Sequence, residues 1–464
     1  MGMSVGLNTA ILALRAHQLA VDVASHNIAN AQSPGYSRQR VLLRPLVIPG
    51  GPGAPAGLLA NPGAGVDAHD LHRVRDTFLD FQARQALGSA SQWQTTAAAL
   101  QRTEVTLGEP SDTGLSAAMS QFWGGWHDVV NTPESPAARS SLINAGSALA
   151  SRFKAMRSDL VSQRGDLDTQ VVDIARQVND AAAEISGLNV QIAQFEAGGA
   201  QASDLRDRRD VLLDGLAKLG PMTYTEQADK TVTVFWGSHT LVQANTAQNV
   251  GVQADPGQPG MNRLYFTTDS AVLDTGGGKL GGLTNARDVA IPGVIAKLDA
   301  LAAGLITSIN AAHSSGFGLD NSTGNAFLTG TDAATIGVDP VVAANPEKVA
   351  AAGSANAAGD SAKALAIANL QLQQLMSGSS QTFDEYYGNA VTVLGADVAQ
   401  ARNNADGAAL VSEHIERQRQ SVSGVNIDEE VTNLNMSQHA YNASARVITT
   451  IDQMLDTLIN RTAV

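Results

Sequence analysis

The chain has 464 residues, of which 44% are hydrophobic but only 4% aromatic, and its formal charge is −14 with no cysteine. The acidic balance, with no lysine or arginine cluster, argues against nucleic acid as a partner, and the absence of cysteine excludes disulfides and thiolate metal sites. No apolar run reaches bilayer-spanning length, so no membrane insertion is expected, and the start shows no cleavable secretory signal.

Such a length allows about two to four domains. With few aromatics, their cores must be built from Leu, Ile, Val and Ala, which favours long helices. Residues 4 to 30 carry helix periodicity. Leu7, Leu14, Val21 and Ile28 recur every seven residues, and Val5, Leu12 and Leu19 form a second series beside them. From Met1 to Ser37 the only formally charged side chains are Arg15 and Asp22. A solvated helix normally carries more, so both faces are expected to be buried in the working state.

Pro34-Gly35 stops this helix in a turn, since proline presets φ and glycine accepts φ > 0. Residues 38 to 48 read as a strand or extended arm, and 50 to 65 as a Gly/Pro-rich loop. Helices are expected from about Leu71 to Leu219, with Leu71, Val74, Phe78 and Phe81 on one face. Ser135-Pro136 reads as an N-cap and first helical residue, opening a helix that runs to about Glu196. Ser203 is expected to cap the next helix, which ends at Gly220-Pro221.

The period then changes to two in Thr231-Val232-Thr233-Val234-Phe235. Residues 263–267 are a second strand candidate, and Gly276-Gly277-Gly278 closes the stretch. Residues 222–284 therefore read as a small, separable β domain inserted into a helical body. Helix returns at about Ile291 to His313. A mostly irregular stretch follows, and helices resume from Ala362 to about Arg419. The last helix, from about Glu429, has its own seven-residue line of Leu434, Tyr441, Ile448 and Leu455, with Ile451 and Leu458 in a second. Spacing alone leaves open whether the terminal helices pair within one chain or between copies.

No chemistry-bearing constellation survives inspection. Gly2-Met3-Ser4-Val5-Gly6 fits a hydrolase nucleophile elbow, but that elbow needs a preceding buried strand. Gly276-Gly277-Gly278-Lys279 lacks the earlier glycine and the following Ser or Thr of a phosphate loop. Asp67, His69, Asp70 and His72 could ligate a metal, but a polar helix start is the simpler account. Asp428-Glu429-Glu430 suits a helix N-terminus, where negative charge is favourable. His26 and His439 read as packed or exposed polar residues. No catalytic residue, cofactor or metal is expected, and no enzyme activity.

The two ends resemble those of the axial proteins of the bacterial flagellum, a superfamily of rod, hook and hook-associated proteins. The resemblance rests on Ser25-His26-Asn27-Ile28-Ala29-Asn30-Ala31 followed by Pro34-Gly35-Tyr36, and on Ser423-Gly424-Val425-Asn426-Ile427-Asp428-Glu429-Glu430 with Ala440-Tyr441. The run Tyr36-Ser37-Arg38-Gln39 is most similar to hook-associated proteins of the hook–filament junction. The helix around Arg208-Arg209-Asp210, residues 278–283 and 310–316, and residues 352–360 with Tyr386-Tyr387 extend the likeness along almost the whole chain.

The resemblance implies a mainly α fold with a small β insert. Residues 1–45 and 422–464 would pair as a coiled-coil inner domain, 46–220 and 285–421 would form a helical-bundle body, and 221–284 a β-rich outer domain. Asn27, Asn30, Pro34, Gly35 and Tyr36 would be the superfamily motif, and the two heptad lines the assembly interface. It further implies export without signal cleavage, an extracellular place in the flagellum, self-association, and contacts with the hook protein, a second junction protein and an export chaperone. A rod or hook subunit is the alternative.

Overall fold

The computed structural model describes residues 2–46 and 65–460, so the expected Gly/Pro-rich loop lies almost wholly outside the described residues. The chain is mainly helical, with four small antiparallel sheets among the described residues. It opens with α1 (Gly2–Asn30), followed by a hairpin of β1 (Gln39–Pro45) and β2 (Val66–Arg73). The residues from Leu71 to Arg73 are thus strand, not helix. They pair with Val41, Arg40 and Gln39, and the hairpin packs on α1. Tertiary pairing overrides the helical spacing there. The polar cluster expected to open a helix sits instead on β2, where neighbouring side chains alternate between faces; the His69 side chain lies outside the described residues.

The first body helix, α2 (Thr77–Leu107), starts where Asp76 Oδ1 accepts the Phe78 and Leu79 amides at 2.8 and 3.2 Å, satisfying two orphan donors. After α3 (Leu115–Asn131) comes α4 (Pro136–Glu196), 61 residues long. Its bounds are those the sequence suggested, with Ser135 Oγ accepting the Ala138 amide at 3.2 Å and proline in the first turn. The next helix, α5 (Ser203–Leu219), has no Ser203 cap. Glu196 takes that place: its carboxylate accepts the Ala202 amide at 3.0 Å and holds Arg206 at 2.7 Å.

The β part has more strands than the two the sequence revealed. β3 (Met222–Glu226), β4 (Val232–Trp236), β5 (His239–Gln243) and β6 (Thr246–Ala247) form one sheet. β7 (Val250–Ala254) and β8 (Asn262–Phe266) form a ribbon. Three polar residues of α4 stitch these strands to the helix. Asn189 exchanges hydrogen bonds with the Val232 backbone at 2.9 and 3.0 Å, and Asn179 does so with Val250 at 2.9 and 2.7 Å. Asp168 accepts the Asn262 amide at 2.7 Å. Val232, Val234, Trp236 and Phe266 fall in the same continuous buried cluster as Phe153, Val171 and Ile185 of α4. The buried side chains of this region therefore join those of the helical body in one cluster.

Helix also returns earlier than expected. α6 (Gly278–Asn285), a π turn at Ala286–Ala290 and α7 (Ile291–His313) form one continuous stretch. By length and composition it could cross a membrane, which the residue-by-residue reading did not show. Here it is a core helix: Leu280, Leu283, Leu298, Leu301 and Leu305 are buried in the main cluster. The π turn places Arg287 inward, where it binds Asp168 Oδ1 at 2.6 Å and the Asn262 carbonyl at 2.7 Å. A hairpin of β9 (Leu328–Thr329) and β10 (Gly337–Val338), then α8 (Pro340–Ala344) and α9 (Ala362–Ala368), complete the body. The helices expected after Ala362 are α9 and, beyond an irregular stretch, α10 (Phe383–Ser423), which begins with a Thr382/Glu385 capping box. α10 packs along α2, and α11 (Ile427–Asn460) returns to α1.

Candidate functional site

The two ends meet through α1 and α11. Asn27 Nδ2 donates to Glu430 Oε2 at 3.0 Å, and Ile451 Cδ1 lies 3.5 Å from where a Gly6 side chain would start. The two points are 21 residues apart on each helix, in opposite chain directions. The helices therefore run antiparallel and stay in register for three heptads.

Asn27 is fully buried and uses its whole hydrogen-bonding capacity. Its Oδ1 accepts from Tyr36 OH at 2.8 Å and the Gln39 amide at 3.0 Å. Its Nδ2 donates to the Gln39 carbonyl at 2.9 Å as well as to Glu430. Tyr36 also sets its ring edge-on to His26 at 5.6 Å. Burial, with Asp204, Asp207 and Glu430 nearby, pushes the Tyr36 pKa up, so the hydroxyl keeps its proton and stays a donor.

The rest of the motif shapes the turn. Asn30 Nδ2 donates to the His26 carbonyl at 3.1 Å, and Ser33 donates through its amide to the Asn30 carbonyl at 2.9 Å. Pro34 is exposed at the corner. Gly35 has φ +78°, and a Cβ there would meet Val211 Cγ2 at 2.2 Å. Only glycine meets both demands.

The heptad lines lie elsewhere than at the centre of this pair. Leu7, Leu14, Val21 and Ile28 are each half-buried, as are Leu434, Tyr441, Ile448 and Leu455. The buried apolar side chains of α1 are small ones, Ala10, Ala16, Val23 and Ala24. Glu430 is the one buried side chain of α11 among its described residues. Meanwhile Met436, Val447 and Met454 stand 64%, 47% and 52% exposed, at seven- and eleven-residue intervals along α11. One chain thus covers its large end-helix aliphatics only in part.

Sequence reasoning missed the polar joint beneath the ends. Arg73 Nη2 donates to Asp207 and Asp210 of α5, each at 2.6 Å, and Ser37 Oγ donates to Asp207 at 2.6 Å. Burial raises the Asp207 pKa in spite of Arg73. Burial also opposes ionisation of Asp210, but Arg75, Arg73 and Arg84 outweigh it and hold that carboxyl well below the usual range. The available signal was the spacing of Asp207, Asp210 and Asp214, which lines one face of a helix with acid.

No group of three or more potential ligand side chains could hold a metal ion among the described residues. Asp428, Glu429 and Glu430 lie in the first turn of α11, where Asn426 Oδ1 accepts the Asp428 amide at 3.0 Å.

Three family models match in chain order. Residues 7–36 match "Flagella basal body rod protein", 100–328 "Flagellar hook-associated protein FlgK helical domain", and 417–461 "Flagellar basal body rod FlgEFG protein C-terminal". The chain is 28% identical to flagellar hook-associated protein 1 of Bacillus subtilis, with 98% of each chain covered. It is 26% identical to the protein of that name from Salmonella typhimurium, over 99% of this chain and all of the relative. Among solved structures, the flagellar hook junction protein FlgK from Burkholderia pseudomallei shares the fold at TM-score 0.66 and 15% identity, covering 74% of this chain and 100% of that one. With rod-type ends, a hook-associated helical middle and relatives matching from end to end, the chain is similar along its whole length to flagellar hook-associated protein 1 and, at its ends, to the flagellar rod and hook proteins.

Proposed function

We propose that this chain is a structural subunit of the bacterial flagellum that forms the junction between hook and filament, and that its paired ends complete their burial against other copies. One observation carries the reading: the end-helix pair is closed inside by alanines and Asn27, and leaves its large aliphatics half-covered. An apolar stripe so disposed suits association.

In this reading residues 1–45 and 422–464 form the inner coiled-coil tube, the helical body the next layer, and the β part the outer surface. The junction adapts two tubes of different stiffness. The subunit leaves the cell without signal cleavage, held beforehand by an export chaperone. It then contacts the hook protein on one side and a second junction protein on the other. It performs no catalysis.

Immunogold labelling of isolated flagella tests this. The expected result is label confined to a narrow zone where hook meets filament. Label along the hook or in the rod would overturn it in favour of the rod or hook subunit.

A further inference from the structure

Two stretches of chain connect the ends to the body: Val74–Asp76, between β2 and α2, and Gly424–Asn426, between α10 and α11. Arg38 laces them together, donating its amide to the Ser423 carbonyl and accepting from the Val74 amide, both at 2.8 Å. The two connecting stretches lie outside the main apolar cluster, which comes up to the joint's aspartates at Leu213 of α5. The main buried cluster contains no residue before Ala97 or after Ala405, and none of the buried alanines of α1.

Charge takes the place of the core there. Arg73 and Arg75 arrive from the hairpin and Arg419 from the end of α10. Arg73 bridges Asp207 and Asp210, Arg75 reaches Asp210 at 3.1 Å and Asp80, and Arg419 reaches Asp214 at 2.7 Å. Arg84 of α2 joins Asp210 and Asp214 from beneath at 3.0 and 2.8 Å. Four arginines face four aspartates, and no side chain among them is more than 18% exposed. Beside them lies a groove of about 730 Å³, walled by both connecting regions.

We infer that this ion-pair cluster is a latch that fixes the direction in which the paired ends leave the body. Guanidinium–carboxylate forks are directional, whereas apolar surfaces slide. The latch gives each copy one preset angle, which a regular tube of copies requires. Its purpose rests on the proposed function, but the angle is a property of the single chain and is measured there.

The natural chain has no cysteine, so Gln18→Cys on α1 and Gln85→Cys on α2, both exposed, accept one spin label each. Pulsed dipolar spectroscopy on the full chain should give one narrow distance distribution. Arg73→Gln should at least double its width while helical circular dichroism stays unchanged, since Arg73 lies outside the apolar core. Asp210→Asn should do the same. Asp168→Asn, which breaks a buried ion pair within the body, should leave the width alone. Widths unchanged in Arg73→Gln and Asp210→Asn overturn the latch. So does loss of helix signal in Arg73→Gln, because the cluster would then be a folding element. If Asp210→Asn alone loses helix, Arg73→Gln decides. A failed latch with label still at the junction leaves the proposed function standing; misplaced label defeats that function whatever the widths.

Discussion

Asn27 at the end of the first helix and Glu430 at the start of the last are 403 residues apart and share a 3.0 Å hydrogen bond. The carboxylate is buried, 4% exposed, and accepts its hydrogen bond from the Asn27 carboxamide. This pair sets the register of the two helices. Moving three heptads outward from it on each helix leads to Gly6 and Ile451 in contact.

Replacing Asn27 should therefore loosen the ends more than replacing its partner. Asn27→Ala strands a buried carboxylate, the Tyr36 hydroxyl and both polar groups of the Gln39 backbone. The local cost should be about 3 kcal/mol. Glu430→Gln keeps an acceptor for Asn27 Nδ2 and should cost about 1 kcal/mol. Hydrogen exchange of α1 and α11 amides reads both, with the body amides as internal control. Equal exchange in the two variants would remove Asn27 from the centre of the pairing.

Gly35→Ala should be costly for two separable reasons. The positive φ strains any L-residue by about 1 kcal/mol, and the methyl collides with Val211. Adding Val211→Ala should return part of the loss but not all, in a double-mutant cycle on the exchange of residues 33–39. Complete recovery would mean the backbone conformation is not limiting.

The buried His313 makes the body acid-sensitive. Burial lowers its pKa from 6.5 to about 4. It accepts the Ala350 amide at Nε2, 2.9 Å away, and lies 2.7 Å from the Asn325 carbonyl through Nδ1, so the neutral ring protonated at Nδ1 fits both. The unfolded chain binds this proton near pH 6.5 and the folded chain only near 4. Its stabilising share is thus fully present above 6.5 and lost as pH falls toward 4, by about 3 kcal/mol in all. Denaturant melts of the parent and His313→Gln at pH 7.5 and 4.5 should show the parent losing more. Parallel losses would refute the assignment.

The β part should be indispensable to the body. Replacing residues 222–277 by a Gly/Ser linker would strip the strands from Val178 and Ile185 and leave Asn179, Asn189 and Asp168 without their strand partners. A fall in thermal midpoint of at least ten degrees is expected by differential scanning calorimetry. An unchanged midpoint would restore the separable module that Gly220-Pro221 and Gly276-Gly277-Gly278 suggest.

What the residues disclosed follows how local the cause was. The bounds of α4 were legible because Ser135-Pro136 and Gly198-Gly199 act within one turn. Leu71 misled because its partner, Val41, is thirty residues away, so pairing is invisible to spacing. The Arg–Asp joint was hidden for the same reason: Arg73, Asp210 and Arg419 come from three distant elements. The motif residues were legible as a motif, but the four hydrogen bonds that explain Asn27 needed the fold.

The half-buried heptad lines give the test of assembly. Leu14 and Leu455 each keep part of their surface in contact with water in the single chain. An aspartate at either place should cost a single chain little, about 1 kcal/mol, since the charge can turn outward. In a tube of copies the same charge would be enclosed without a partner, at several kcal/mol, repeated at every subunit. Leu14→Asp or Leu455→Asp should therefore leave the body's thermal midpoint within about two degrees of the parent while abolishing the junction. Filament subunits would then be shed into the medium, as measured by immunoblot of culture supernatant. Gln453→Asp, at an exposed position of α11, should be milder. Strong destabilisation of the free chain by the leucine variants, with assembly retained, would mean the end helices serve an internal core instead.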